Sequence, residues 1–252
     1  MNHKTDEQNC YHDFATHYDK FMSASKKYAV WEKMIAQTIA KYAVPKGLCL
    51  DVACGTGAIS QMLIKRGFKV IGIDKSAEML AIARKKLPDA QFIEADIRQF
   101  RVEADQPAVM AVSFYDSLNY LLEDEDMVAM FKSVRDNLAP GGIFLFDMNS
   151  REHMEISQKN NARVFEYDDL MMIMRFSGEG RIWILDIDMF TKKDNNLYVR
   201  STERHIERGY DEEDIAPLLK QAGLTLLEAR KEHKVYEDGK EHLSRWYFLV
   251  QK

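Results

Sequence analysis

The sequence predicts a doubly wound α/β fold, a mostly parallel seven-stranded sheet with helices on both faces, plus a small antiparallel β insertion after strand five. Three observations predict it. Short apolar runs alternate with helical patterns as far as Ser150, the signature of βα units and a parallel sheet. The alternation then gives way to consecutive extended segments parted by turn residues, which read as an antiparallel meander. One more helical stretch and two extended segments follow, and as a hairpin they complete the first sheet. The expected division is a core of residues 1–150 and 209–252, with an N-terminal flap over 1–30, and an insertion over 151–208.

Residues 11–28, YHDFATHYDKFMSASKKY, mix Tyr and Phe with polar residues and precede the first regular helix. That helix carries Trp31, Met34, Ile35, Ile39 and Tyr42 on one stripe and is stopped by Val44-Pro45-Lys46-Gly47. Strand Leu48–Val52 leads through a Gly-rich loop into a helix marked by Ile59, Met62 and Leu63. Strand Phe68–Ile73 leads into a helix with Met79, Ile82 and Ala83 on one face. Ser76 is its expected N-cap, and Glu78 in the first turn suits the helix dipole. Strands Gln91–Ala95 and Ala108–Ser113 follow, then a helix with Met127, Met130, Phe131, Val134 and Leu138. Pro140-Gly141-Gly142 turns the chain into strand Ile143–Asp147. The meander runs from about Arg163 to Arg208 as RVFEY, LMMIMRF, RIWILDIDMF and LYVRSTERHIER. Its turn signals are Ser177-Gly178-Glu179-Gly180 and Lys193-Asp194-Asn195-Asn196. Helix Asp211–Ala222 ends at Gly223, a C′ glycine. Strands Leu224–Lys231 and Leu243–Val250 pair across a turn near Glu237-Asp238-Gly239.

At 46% hydrophobic and 30% charged, with 12 Gly and 5 Pro in 252 residues, the composition is that of a folded chain without linkers or repeats. The net charge of -5 argues against a protein that wraps nucleic acid, which calls for a basic face. MNHKTDEQNC lacks the apolar stretch of a signal peptide, and no run approaches the length of a membrane span. Cys10, Cys49 and Cys54 make neither a disulfide framework nor a metal spacing. A soluble, cytoplasmic protein with no metal site is expected.

Chemistry concentrates at Asp51-Val52-Ala53-Cys54-Gly55-Thr56-Gly57. Gly55 and Gly57 follow a strand and precede a helix, so the backbone can turn sharply and approach a ligand closely. Asp74 ends the next strand, 19 residues beyond Gly55, where a carboxylate can accept both hydroxyl protons of an adenosine ribose. Dinucleotides and S-adenosylmethionine both fit that pattern, and two details separate them. Ser60 stands where a dinucleotide fingerprint has its third Gly or Ala. Asp51, just before the loop, would repel a pyrophosphate but attract the sulfonium and α-ammonium of the methyl donor. An NAD-linked oxidoreductase is thereby disfavoured, and so is a turn that binds nothing.

LDVACGTG, IGIDKSAEML and EADI resemble the cofactor motifs of class I S-adenosylmethionine-dependent methyltransferases, which have a Rossmann-like fold. More narrowly, the chain resembles a bacterial small-molecule subgroup with the antiparallel insertion. The residues carrying that likeness are YHDFATHYD (Tyr11–Asp19), DSLNYL (Asp116–Leu121), FDMN (Phe146–Asn149) and HIERGY (His205–Tyr210). The resemblance implies that Ala53, Cys54 and Gly55 lie beside the methionine moiety, with Asp51 near its ammonium. It implies Asp74 on the ribose, Lys75 and Met79 flanking the adenine, Asp96 on the adenine amino group and Ile97 over its face. Tyr11, Tyr18 and Trp31 would belong to a flap over the cofactor, although Trp31 also sits on an apolar stripe that packs a core. Tyr115 would join the cofactor set.

A sulfonium methyl is already activated, so the protein's task is to hold an acceptor in line. In an open α/β sheet the acceptor sits beyond the carboxyl ends of the strands. That places Phe114, Tyr115, Asp116 and Asn119, after the fourth strand, and Asn149, after the fifth, at its rim. The Asn/Asp-Pro-Pro-Tyr/Phe motif of nucleic-acid amino methyltransferases is absent. The insertion is expected to cover the acceptor, with Met171, Met172, Met174, Trp183 and Tyr198 as an adaptable apolar surface; packing onto the core is the competing reading. His205 is the candidate base, with Arg208 and Tyr210 as acceptor partners. In a strand His205 and Glu207 face one way and Arg208 the other, and a structural role for His205 stands beside the catalytic one. The expected reaction is transfer of a methyl group to an N or O atom of a small-molecule acceptor. RNA or protein methylation, and non-catalytic cofactor binding, are the alternatives.

Overall fold

Strand LCLDV is apolar at nearly every position because it lies in mid-sheet, with helices over both faces. In the computed structural model, which describes residues 14–15, 17–19, 28–159, 162–193, 197–235 and 242–252, the chain alternates as the sequence leads one to expect. After helix α1 (Tyr28–Lys41) come β1 (Leu48–Val52), α2 (Ala58–Lys65), β2 (Lys69–Asp74), α3 (Ala77–Lys86), β3 (Gln91–Glu94) and β4 (Ala108–Ser113). A short 3-10 turn, Ser117–Tyr120, leads to α4 (Asp124–Asn137) and β5 (Leu138–Asn149). Then follow α5 (Arg151–Lys159), the meander β6 (Ala162–Glu166), β7 (Leu170–Glu179), β8 (Ile182–Lys192) and β9 (Tyr198–Arg208), helix α6 (Glu212–Ala222), and β10 (Thr225–Val235) with β11 (His242–Gln251).

The seven-stranded sheet has the order β10-β11-β5-β4-β1-β2-β3. Strands β1 to β5 pair parallel, and β11 runs antiparallel to both β5 and β10. Alternation along these strands sends Leu50, Ile71, Phe144, Phe146 and Phe248 to one face, against Met127, Phe131 and Val134 of α4 and Ile215 and Leu219 of α6. Cys49, Val70, Met110, Val112 and Leu145 go to the other, against Trp31, Met34, Ile35, Ile59 and Leu63 of α1 and α2. Local signals end the helices as expected. The Ser76 hydroxyl accepts from the Met79 N–H at 3.2 Å, and Gly223 closes α6 with φ 76°.

The meander forms a separate four-stranded antiparallel sheet, β6-β7-β8-β9. One face buries Leu170, Met172, Met174, Ile187 and Met189 around Phe14 of the N-terminal segment. The other carries ion pairs of Arg175 and Arg200 with Asp188, and of Arg204 with Asp186. Helix α5 has no counterpart in the sequence reading: its only fully buried residues are Met154 and Ser157, too few for a clear apolar stripe. The expected turns at Asp194–Asn196 and Glu237–Gly239 lie outside the described residues.

Candidate active site

The carboxyl ends of β1, β2, β3 and β4 converge on a cleft of about 1230 Å³, its open mouth included. The Gly-rich loop forms its floor through a run of left-handed residues: Ala53 (φ 58°), Gly55 (φ 51°) and Gly57 (φ 77°). At Gly55 an added Cβ would meet only the Met79 sulfur, 4.0 Å away, so that backbone faces open space in the cleft. Asp74 holds the loop in shape. One of its oxygens accepts the Gly55 N–H at 2.7 Å and the other the Ser76 N–H at 2.9 Å. Burial raises its pKa, and those two N–H groups oppose the rise. Asp51 is buried, where Asp74 is half-buried, and accepts the Ser60 hydroxyl at 2.6 Å. Burial raises its pKa to about 7, against the Ser60 bond and with help from the Asp74 charge. Ser60, which departs from a dinucleotide fingerprint, is thus the partner of Asp51.

The cleft lining brings together Tyr18, Trp31, Asp51, Ala53, Cys54, Gly55, Asp74, Lys75, Met79, Asp96, Ile97 and Tyr115 from the sequence-derived cofactor set. Tyr11 lies outside the described residues. Trp31 meets both readings given for it, since it is 3% exposed in the core and also lines the cleft. The carboxylate of Asp96 is chelated by Arg98, whose Nε and Nη2 lie 3.0 and 2.6 Å from its oxygens, and this lowers its pKa. Asp19 of the N-terminal segment accepts the Thr56 hydroxyl at 2.6 Å and pairs with Lys86, so that segment is tied to the Gly loop.

Beyond Phe114 the chain makes two successive left-handed residues that are not glycine, Tyr115 (φ 70°) and Asp116 (φ 55°). Each costs on the order of 1–2 kcal/mol, somewhat less for Asp. The Asp116 N–H donates to Asp147 at 3.0 Å, which holds the strained turn and leaves Tyr115 in the cleft wall. Asp147 is fully buried and also accepts from Trp31 Nε1 and from Arg245 Nη1, both at 2.7 Å. Burial raises the pKa of Asp147, and the Arg245 charge opposes it. Burial works against the charge on Arg245, yet Asp147 and Asp116 outweigh it and hold the guanidinium protonated.

Several residues expected to meet the acceptor lie apart from the cleft lining. Asn119 and Asn149 are buried behind the wall and bond to each other: the Asn149 N–H donates to Asn119 Oδ1 at 2.9 Å, and Asn119 Nδ2 donates to the Asn149 carbonyl at 3.0 Å. Asp116 accepts from Asn149 Nδ2 at 2.7 Å and turns toward that interior. Arg208, on the opposite side of β9 from His205, reaches the Leu122 carbonyl at 2.8 Å and pairs with Asp124 at 2.9 Å. Tyr210 is wholly buried and donates to the Leu121 carbonyl. Tyr198 is 53% exposed and seven residues along β9 from His205, roughly 23 Å at a strand's rise. Met172, Met174 and Trp183 are buried in packing, Trp183 stacked on Phe176. His205 is 2% exposed and sits behind the wall, with Tyr120 between it and the cleft. Among the residues that the sequence reading missed are Tyr120, Asp147, Glu203 and Arg245, with Arg98 and Ser117 of the cleft lining. Asp147 and Arg245 carried one signal, a charge inside an apolar strand, which requires a buried partner.

A doubly wound sheet of this order, with a left-handed Gly loop flanked by one buried and one half-buried carboxylate, defines a class I methyltransferase. Residues 49–142 match the methyltransferase domain family. YqeM of Bacillus subtilis (strain 168), a protein named for methyltransferase activity, is 32% identical over 246 residues, 96% of this chain and 97% of its own. A Streptomyces venezuelae dTDP-3-amino-3,4,6-trideoxy-alpha-D-glucopyranose N,N-dimethyltransferase is 35% identical over 136 residues, 54% of this chain and 56% of its own. The crystal structure of an S-adenosylmethionine-dependent methyltransferase from Clostridium acetobutylicum superposes with a TM-score of 0.81 at 29% identity, covering 96% of this chain and 99% of that one. The chain belongs to the S-adenosylmethionine-dependent methyltransferases. No helix among the described residues is long and apolar enough to cross a membrane.

Proposed function

We propose that the chain holds S-adenosylmethionine in this cleft and transfers its methyl group to an N or O atom of a small-molecule acceptor. The observation that carries the assignment is the placement of two carboxylates, the buried Asp51 and the half-buried Asp74, on either side of a loop whose backbone faces open cleft. Asp51 is the natural partner of the cofactor ammonium, because burial leaves it short of positive charge. Asp74 takes the ribose hydroxyls; Lys75, Met79, Asp96 and Ile97 surround the adenine; and Ala53, Cys54 and Gly55 lie along the methionine part. Bound there, the cofactor supplies an activated methyl, and the chain's contribution is to orient the acceptor and exclude water.

The acceptor side is the wall of Phe114, Tyr115, Ser117 and Tyr120. A nitrogen acceptor on a small molecule has the support of the amino-sugar relative. The test is transfer of a labelled methyl group to a panel of amines, alcohols, nucleotide-linked amino sugars and RNA. Labelling of a small amine or alcohol is expected. Labelling of RNA alone, or binding of the cofactor with transfer to nothing in the panel, would contradict the proposal.

A further inference from the structure

Behind the cleft wall, three polar side chains from two distant elements form a line that the Gly loop does not need. Tyr120, at the end of the 3-10 turn, lines the cleft. Its phenol oxygen lies 2.8 Å from His205 Nδ1. The other ring nitrogen of His205 lies 3.4 Å from Glu203 Oε2, and both side chains are 2% exposed. Glu203 Oε1 accepts the Phe14 N–H at 2.9 Å. His205 and Glu203 stand two apart on β9 and so share one face of that strand. Glu207, the next residue on that face, is also buried, and a charged His205 would favour its ionised form. Across β8 the neighbour of His205 is the apolar Leu185. Tyr120, Glu203 and Glu207 are titratable groups that face the ring.

From this arrangement, and resting on the methyl-transfer reading above, we infer that Tyr120, His205 and Glu203 form a proton relay in which Tyr120 meets the acceptor. Tyr120 Oη takes the proton that the acceptor N–H or O–H gives up as its new bond to the methyl carbon forms. The methyl–sulfur bond breaks with its electron pair going to sulfur. Tyr120 passes its own proton to His205 Nδ1, and the resulting imidazolium faces Glu203 with its Nε2–H. Proton count and charge balance without any further reactant, and the positive charge of the donor ends on the imidazole. Tyr120 is the catalytic residue in this scheme. His205 and Glu203 act through it, Glu203 by placing its carboxylate 3.4 Å from Nε2, where its charge favours a proton on that nitrogen and leaves Nδ1 to accept. The line reaches from the cleft to the N-terminal segment, which packs Phe14 against the His205 ring at 6.5 Å between centroids.

The relay requires one tautomer, and that can be read without knowing the acceptor. Nitrogen-15 spectra of the full-length protein labelled at histidine, with His205 assigned through His205→Gln, are expected to show it protonated at Nε2 and bare at Nδ1 when neutral. Glu203→Gln is expected to lower the pH at which that ring takes its second proton by about one unit, through loss of the facing charge. A neutral ring protonated at Nδ1, or titration unmoved by Glu203→Gln, would overturn the relay. Tyr120→Phe keeps the ring and removes the hydroxyl. It is expected to leave calorimetric affinity for S-adenosylmethionine within twofold, and to lower kcat on any acceptor found in the panel by about 10²–10⁴-fold, the range of general-base catalysis. A Tyr120→Phe enzyme with wild-type kcat would also overturn it. Failure of the methyl-transfer reading shows separately, as absence of cofactor binding or of transfer by the wild-type protein.

Discussion

The Gly-loop end of the cleft and the Tyr120 end hold their polar groups in different ways. At the first, the bonds to the two carboxylates are local in sequence: Ser60 to Asp51 spans 9 residues, and Gly55 to Asp74 spans 19. At the second they tie remote parts of the chain together. Arg245 reaches back 98 residues to Asp147, Tyr120 reaches 85 forward to His205, and Asn119 spans 89 to the Arg208 carbonyl. The local end is a loop shaped by one βαβ unit, which presents its carboxylates to the cleft. The remote end is a buried network that fixes the wall and keeps most of its charge from solvent. The comparison separates a group placed for a ligand, Asp51, whose ionised form the empty protein is better off without, from groups that hold one another.

The largest effect that can break this comparison is loss of Arg245. Arg245→Met leaves Asp147 buried with its main counter-charge gone, and is expected to cost about 3–5 kcal/mol and lower Tm by roughly 10 °C in thermal unfolding. A Tm within 2 °C of wild type would mean that the network is not holding the wall. Next comes Gly72→Ala, beneath the Gly loop, where a Cβ would stand 2.6 Å from the Phe92 ring and 2.8 Å from the Cys54 sulfur. It is expected to cost about 1–3 kcal/mol by overpacking, read by urea unfolding.

Asp51 gives the opposite sign. Its folded pKa, about 7, lies above the ordinary value of 3.8, so the empty native state holds a proton that the unfolded chain has already lost. The stability contributed by that proton is present below pH 4 and is lost as pH rises through 7. Asp51→Asn is therefore expected to raise Tm at pH 8 while weakening cofactor binding. In the wild type, binding needs the ionised form, so cofactor affinity should fall by up to about tenfold per unit as pH drops below 7. A flat calorimetric profile between pH 5.5 and 8 would remove Asp51 from the ammonium. The smallest effect is at Tyr198. Tyr198→Ser, on the exposed start of β9, should change stability by less than about 0.5 kcal/mol and leave methyl transfer unaltered.

The same contrast explains what the sequence made legible. Asp51, Gly55 and Asp74 can be read because their spacing along one βαβ unit dictates their meeting in space. Ser76 and Gly223 announce helix ends by local chemistry, and the period-2 pattern of β9 correctly puts His205 and Glu207 on one face. Arg208, Tyr210, Asn119 and Asn149 lie in segments near the acceptor wall, but which way each turns depends on partners far away in the chain. Tyr120 and Glu203 were invisible for the same reason: nothing within a few residues of either marks the 2.8 Å contact with His205 or the bond to Phe14. Helix α5 was missed because it buries little and lies between two stretches of strand.

The central claim is that the Gly-loop end is built for S-adenosylmethionine through its carboxylates. Isothermal titration of the full-length protein with S-adenosylmethionine, and of Asp74→Ala, tests it most directly. Wild-type protein should bind one equivalent and give no heat with NAD, and Asp74→Ala should weaken binding by about 100-fold or more, since charge-assisted hydrogen bonds contribute about 1.5–3 kcal/mol each. Equal affinity in the two proteins, or no heat with either S-adenosylmethionine or S-adenosylhomocysteine, would contradict the account.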